Sequence, residues 1–160
     1  QLTNNSTKVT VTTADLTLTQ SHNGSNILIM QLAANKTYTL PAPVANYRIK
    51  FVAAQNNVDY QITVKTAAAS QRIIGLFARL DYLAESQHGF MANGFSGHTS
   101  NSLHGSGHAD EQNFNKFDIV ELVQGSVWEM YSDGTRWYVW GHMISAQNTP
   151  DVNVTFGLYS

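Results

Sequence analysis

The sequence predicts an all-β protein, a single-domain antiparallel sandwich or jelly-roll-like barrel carrying one long His/Gly-rich insertion. Three observations predict it. In ten short runs Thr, Val, Ile and Tyr alternate with polar residues, the period-2 pattern of strands buried on one face. The breaks "SHNGSN", "AANK", "AAQNNVD" and "QNTPD" supply residues that tolerate positive φ or bond their own backbone. One stretch, from about 83 to 113, has no sustained period.

From the N-terminal side, "KVTVTT", "DLTLTQ", "NILIMQL", "KTYTLP", "YRIKFVAA" and "YQITVKT" each keep the alternation long enough for one strand. The next segment, "AAASQRIIGLFARLDYLAES", departs from it. Ile73, Phe77, Leu80 and Ala84 follow helical spacing, so a strand-like "QRIIG" followed by a helical turn or two is expected, with Gly75 weakening the helix. Ser86 to Asn113 is rich in Gly, Ser, Asn and His, and a loop this long inside a compact domain signals a functional loop or a mobile arm. The runs "FDIVELVQ", "SVWEMYS", "TRWYVWG" and "VNVTFGLYS" complete the strands. No repeat of solenoid or propeller period is evident, and 160 residues fit one domain spanning 1–160.

Only 12% of the chain is charged, with nine Lys plus Arg against eleven Asp plus Glu and no basic cluster. A nucleic-acid binder needs a concentrated positive field, so no nucleic-acid partner is expected. No apolar run is long enough to span a bilayer as a helix, and no membrane partner is expected. Without Cys there are no disulfides, thiolate nucleophiles or Cys-ligated metals.

His88, His98, His104 and His108 all fall in the insertion. His104 and His108 would share one face of a helix, but the "GSG" between them opposes helix formation, and no "HExxH" arrangement is present. No metal and no cofactor is expected; His98, His104 and His108 are the candidates if one binds. Neither "GxSxG" nor a Gly-rich phosphate loop occurs, and the Asp residues flank strands as ordinary turn chemistry, so the chain reads as a non-enzyme.

The stretch "YSDGTRWYVWG" holds four aromatic residues around Asp133-Gly134, a strong two-residue hairpin signal. A two-residue loop sets Tyr131 opposite Arg136 and Met130 opposite Trp137. Alternation then sorts Trp128, Met130, Trp137 and Val139 onto a core face. Val127, Glu129, Tyr131, Arg136, Tyr138 and Trp140 go to the other face, with Glu129 and Arg136 diagonal to each other. Tyr, Trp and Arg are enriched in interfaces, so Glu129, Tyr131, Arg136, Tyr138 and Trp140 form the candidate interface or ligand platform.

The run "NKTYTLPAPVANYRIKFVAAQNNVDYQITVKT" and the later "VELVQGSVWEMYSDGTRWYVWG" resemble phage and virus structural proteins of the head-decoration and fibre type. Tyr38, Thr39, Leu40 and Pro41 match a "tyTLP" strand, Tyr47, Ile49 and Phe51 a "y.f.f" strand, and Tyr60, Ile62 and Val64 an "n..Y.ItV" strand. Asp133, Gly134, Thr135, Trp137, Val139 and Gly141 match a late "v.l..dGt.W.v.G" hairpin. The departure is the insertion from about Leu83 to Asn113. The resemblance implies an all-β homotrimer at the virion, on the capsid surface or a fibre. Its partners would be the major capsid protein or other virion subunits. The expected function is a capsid decoration or cement protein that stabilises the shell by subunit contacts. The alternative is a carbohydrate-binding fibre tip or lectin-like module whose surface aromatics bind a glycan.

Overall fold

In a computed structural model, described for residues 8–81, 114–145 and 154–160, eleven strands form two sheets facing each other. In chain order they are β1 (Val9–Thr12), β2 (Leu16–Thr17), β3 (Ser25–Ile29), β4 (Lys36–Thr39), β5 (Tyr47–Ala53), β6 (Ile62–Lys65), β7 (Ile73–Asp81), β8 (Lys116–Ile119), β9 (Val127–Ser132), β10 (Trp137–Ser145) and β11 (Val154–Gly157). One sheet runs β1-β3-β5-β9-β10-β7 and the other β11-β8-β6-β4-β2. All ten predicted runs contain a strand. The predicted insertion, 83 to 113, lies outside the described residues.

The all-β expectation holds, but the sheets are mixed where antiparallel ones were expected. Strands β1, β3 and β5 are parallel neighbours, as are β2, β4 and β6, and β10 is parallel to β7. Antiparallel pairing joins β5 to β9, β9 to β10, β6 to β8 and β8 to β11. The physical reason is the path of the chain. Through the first six strands it alternates between the sheets, so each connection between parallel neighbours crosses the opposite layer. This winding is solenoid-like, yet its circuits differ in length: Val9 aligns with Asn26, Asn26 with Lys50, Leu16 with Tyr38 and Lys36 with Ile62. Unequal circuits leave no sequence repeat.

The helical turn expected after "QRIIG" is a strand instead. Residues 73–81 all belong to β7, paired with β10 from Trp137 opposite Ile73 to Ser145 opposite Asp81. Nine residues of backbone pairing outweigh a helical spacing that Gly75 already weakens. The fourth member of that pattern, Ala84, lies outside the described residues. Gly75 permits the pairing, because its φ is +153° and a Cβ there would stand 1.8 Å from the Val139 carbonyl oxygen.

Aromatic rings fill the space between the sheets. Tyr38 stacks on Phe51 and Phe51 on Trp128, with centroids 5.8 and 4.9 Å apart and planes tilted by 11°. Tyr47 meets Trp137 edge-on at 5.1 Å, and Phe77 of the six-stranded sheet meets Phe117 of the other at 5.2 Å. Tyr47 donates from its hydroxyl to the Thr19 carbonyl and Trp137 from Nε1 to the Pro41 carbonyl, so both rings keep a polar partner. The Tyr38 hydroxyl and Trp128 Nε1 are buried without one among the described residues. Burial, reinforced by Asp15, pushes the Tyr38 hydroxyl far above the ordinary tyrosine value.

Gly75→Ala is expected to cost about 3 kcal/mol or more, because its Cβ would meet backbone. Gly24→Ala should cost about 1 kcal/mol: its φ is +77°, but a Cβ there meets nothing within 4 Å. Urea unfolding of both variants measures the difference, and equal losses would contradict the close approach of β7 to β10.

Candidate binding face

The hairpin β9–β10 is closed by a four-residue loop, Asp133 to Arg136, and not by the two-residue turn the Asp-Gly pair predicts. Ser132 pairs with Trp137, Tyr131 with Tyr138, Met130 with Val139 and Glu129 with Trp140. Asp133 holds the wider loop. Its Oδ1 accepts from the Thr135 hydroxyl and N–H, both at 2.7 Å, and from the Arg136 N–H at 2.9 Å, while Oδ2 accepts from the Tyr138 hydroxyl at 3.0 Å. Ser132 Oγ accepts from the Gly134 N–H. Gly134, at φ +98°, packs on the connection before β5, where an added Cβ would lie 3.3 Å from the Ala45 nitrogen.

Opening the loop by two residues shifts every pairing by two and keeps each side chain that remains in a strand on its predicted face. Trp128, Met130, Trp137 and Val139 are buried in the core. Tyr131 and Trp140 are 48% and 51% exposed, and the Tyr131 and Tyr138 rings stack at 4.9 Å. The pairing of Glu129 with Arg136 is corrected. Arg136 sits in the loop, and Glu129 lies between Lys50 on β5 and Trp140 on β10.

Register across the sheet arranges this outer face in rows. One row carries Arg48, Tyr131, Tyr138 and Ile74, and the next Val9, Asn26, Lys50, Glu129 and Trp140. A third carries Val11, Leu28, Val52, Val127 and His142, an almost wholly aliphatic stripe crossing five strands. Val9 and Val11 are among the exposed apolar residues. Sequence reasoning missed Arg48, Lys50 and the stripe as members of this face. The alternation of "YRIKFV" turns Arg48, Lys50 and Val52 outward, but only strand order brings them beside the hairpin.

The Asp133 carboxyl is held well below the usual carboxylate range by the Thr135 hydroxyl first, then by the Thr135 and Arg136 N–H groups and the Tyr138 hydroxyl. Donating to Asp133 raises the Tyr138 hydroxyl above its ordinary value. Among the described residues no group of three His, Asp or Glu is disposed to hold a metal ion. His98, His104 and His108 lie outside them.

The chain matches no protein-family model, no curated protein and no solved structure.

Because the folded carboxyl of Asp133 is depressed, its contribution to stability is fully present above about pH 4, the unfolded value, and is lost as pH falls through the lower folded value. Asp133→Asn should therefore be less stable than the parent at neutral pH, with the gap closing in acid. Urea unfolding across that range tests this, and a gap independent of pH would contradict it. The same variant should bring the alkaline ultraviolet titration of Tyr138 down towards that of an ordinary tyrosine.

Proposed function

We propose that the protein is a non-enzymatic structural subunit of a virion, a capsid decoration or cement protein that docks on the major capsid protein or a neighbouring virion subunit, with itself as a homotrimer. The observation that carries this reading is the outer face of the six-stranded sheet. Parallel strands are ordinarily covered on both sides, and here three of them turn Val11, Leu28 and Val52 outward, in line with Val127 and next to the half-exposed Trp140. Covering that stripe removes apolar area from water, and Trp140 has the character of a central interface anchor. In this reading the two-layer domain serves as a jelly-roll-like shell module does, by laying one broad sheet face on its neighbour. The residues of the insertion, 83 to 113, add a second candidate contact on sequence grounds alone.

A second reading is a carbohydrate-binding fibre tip or lectin-like module. It is favoured by an open depression of about 230 Å³ on the same face, lined by Gly24, Asn26, Arg48, Lys50 and Glu129, in register with Tyr131 and Trp140. Exposed rings next to polar groups suit the apolar faces of sugar units.

Two variants test the assignment. Trp137→Ala empties a core site and should cost about 3 to 5 kcal/mol in the isolated subunit. Trp140→Ala should leave circular dichroism and unfolding almost unchanged while weakening self-association or capsid binding, by sedimentation, by about 2 kcal/mol or more. If Trp140→Ala leaves association intact and abolishes binding to a glycan array, the second reading replaces the first; if it unfolds the subunit, the outer face is not an interface.

A further inference from the structure

The cation pair beside the aromatic hairpin has no ion-pair partner among the described residues. Arg48 and Lys50 are two positions apart on β5, so both side chains leave the same face with Cα atoms roughly 7 Å apart. Among the described residues neither side chain makes an ion pair or a hydrogen bond, and neither does Glu129, although it stands directly opposite Lys50. All three line the depression of about 230 Å³, and Gly24 lines it with them. Asn26, in the row of Lys50, adds an amide.

We infer that this depression binds the carboxylate of an acidic sugar unit, with Arg48 and Lys50 as the anion-binding pair. The inference rests on the carbohydrate-binding reading of the hairpin and adds the class of sugar. Two cations against one carboxylate leave the depression with a net positive charge, and a guanidinium presents a planar fork that fits a carboxylate. With the acid group on β5, the sugar ring lies over β9, the adjoining strand about 5 Å away. There Tyr131, opposite Arg48, offers an exposed face, and Glu129 and Asn26 can take up ring hydroxyls. The next unit of the glycan reaches Trp140, one strand further on and opposite Glu129. A plain anion would use only the cations. A neutral sugar would leave them unused and Glu129 opposite an unsatisfied Lys50. A uronic or sialic acid unit engages the whole row.

The test uses two matched disaccharides, cellobiouronic acid and cellobiose, which differ in one carboxylate, titrated against the full chain at low salt. The Trp140 indole signal is followed by nuclear magnetic resonance. The acid form should bind about tenfold more tightly than the neutral form, the order of magnitude a charge-assisted pair provides. The paired change Arg48→Gln with Lys50→Gln should erase that preference, so that the acid disaccharide binds no more tightly than the neutral one; a preference that survives the change overturns the inference. Among the described residues neither side chain holds a bond whose loss would unfold the sheet, and circular dichroism checks the variant's fold. Equal binding of both disaccharides to the parent chain overturns the carboxylate inference but leaves the carbohydrate reading standing. No response of Trp140 to either overturns both. An acetate control that shifts Arg48 and Lys50 as strongly as the acid disaccharide does marks a plain anion site and overturns the inference.

Discussion

Antiparallel pairing of β9 with β5, with Phe51 stacked on Trp128 at 4.9 Å, is the contact on which the rest of the structure depends. Up to β5 the chain winds back and forth between the layers and adds each strand parallel to the one before. A seventh strand placed in the same way would lie against β5. Instead the hairpin β9–β10 takes that place and β7 lies beyond it, parallel to β10. Wedging the hairpin there buries Trp128 and Trp137 between the layers. It also turns Tyr131, Tyr138 and Trp140 out beside side chains from the wound half of the domain, so core and outer face have one cause.

The hairpin loop shows how a local error in reading the sequence can leave the larger conclusion intact. Asp133-Gly134 favours a two-residue turn, but one aspartate that satisfies two backbone N–H groups and two hydroxyls stabilises a wider loop. The register moved by two, an even number, so the sorting into core and outer faces survived. Pairs along the strands did not survive, and Glu129 exchanged Arg136 for Lys50 and Trp140 as neighbours. Face membership was legible because it needs only parity. Contacts were not, because they need the loop length, and that is decided by side-chain hydrogen bonds.

The same distinction explains β7 and the mixed sheets. Ile73 and Phe77 are four residues apart, a spacing that places two side chains on one face of a helix and also on one face of a strand; both are buried here. Periodicity alone could not separate the two, and what decided was a partner strand more than fifty positions downstream. Strand direction was illegible for a similar reason. A strand buried on one face alternates whether its neighbour is parallel or antiparallel, and circuits of unequal length hide the winding that would have revealed it.

Chemistry on the outer face changes from row to row across only a few ångströms. Next to the hairpin loop are stacked tyrosines and Arg48; then come Lys50, Glu129 and Trp140; beyond them runs the aliphatic stripe from Val11 to Val127. Neighbouring rows on one face of a strand are about 7 Å apart, so a single docked surface spans all three. The two proposed functions therefore draw on different parts of one continuous surface. A shell subunit would cover the stripe and use Trp140 as its anchor, while a glycan would occupy the charged rows and use Trp140 as its wall. Trp140 lies where the two meet, and the identity of what covers it separates a cement from a receptor-binding tip.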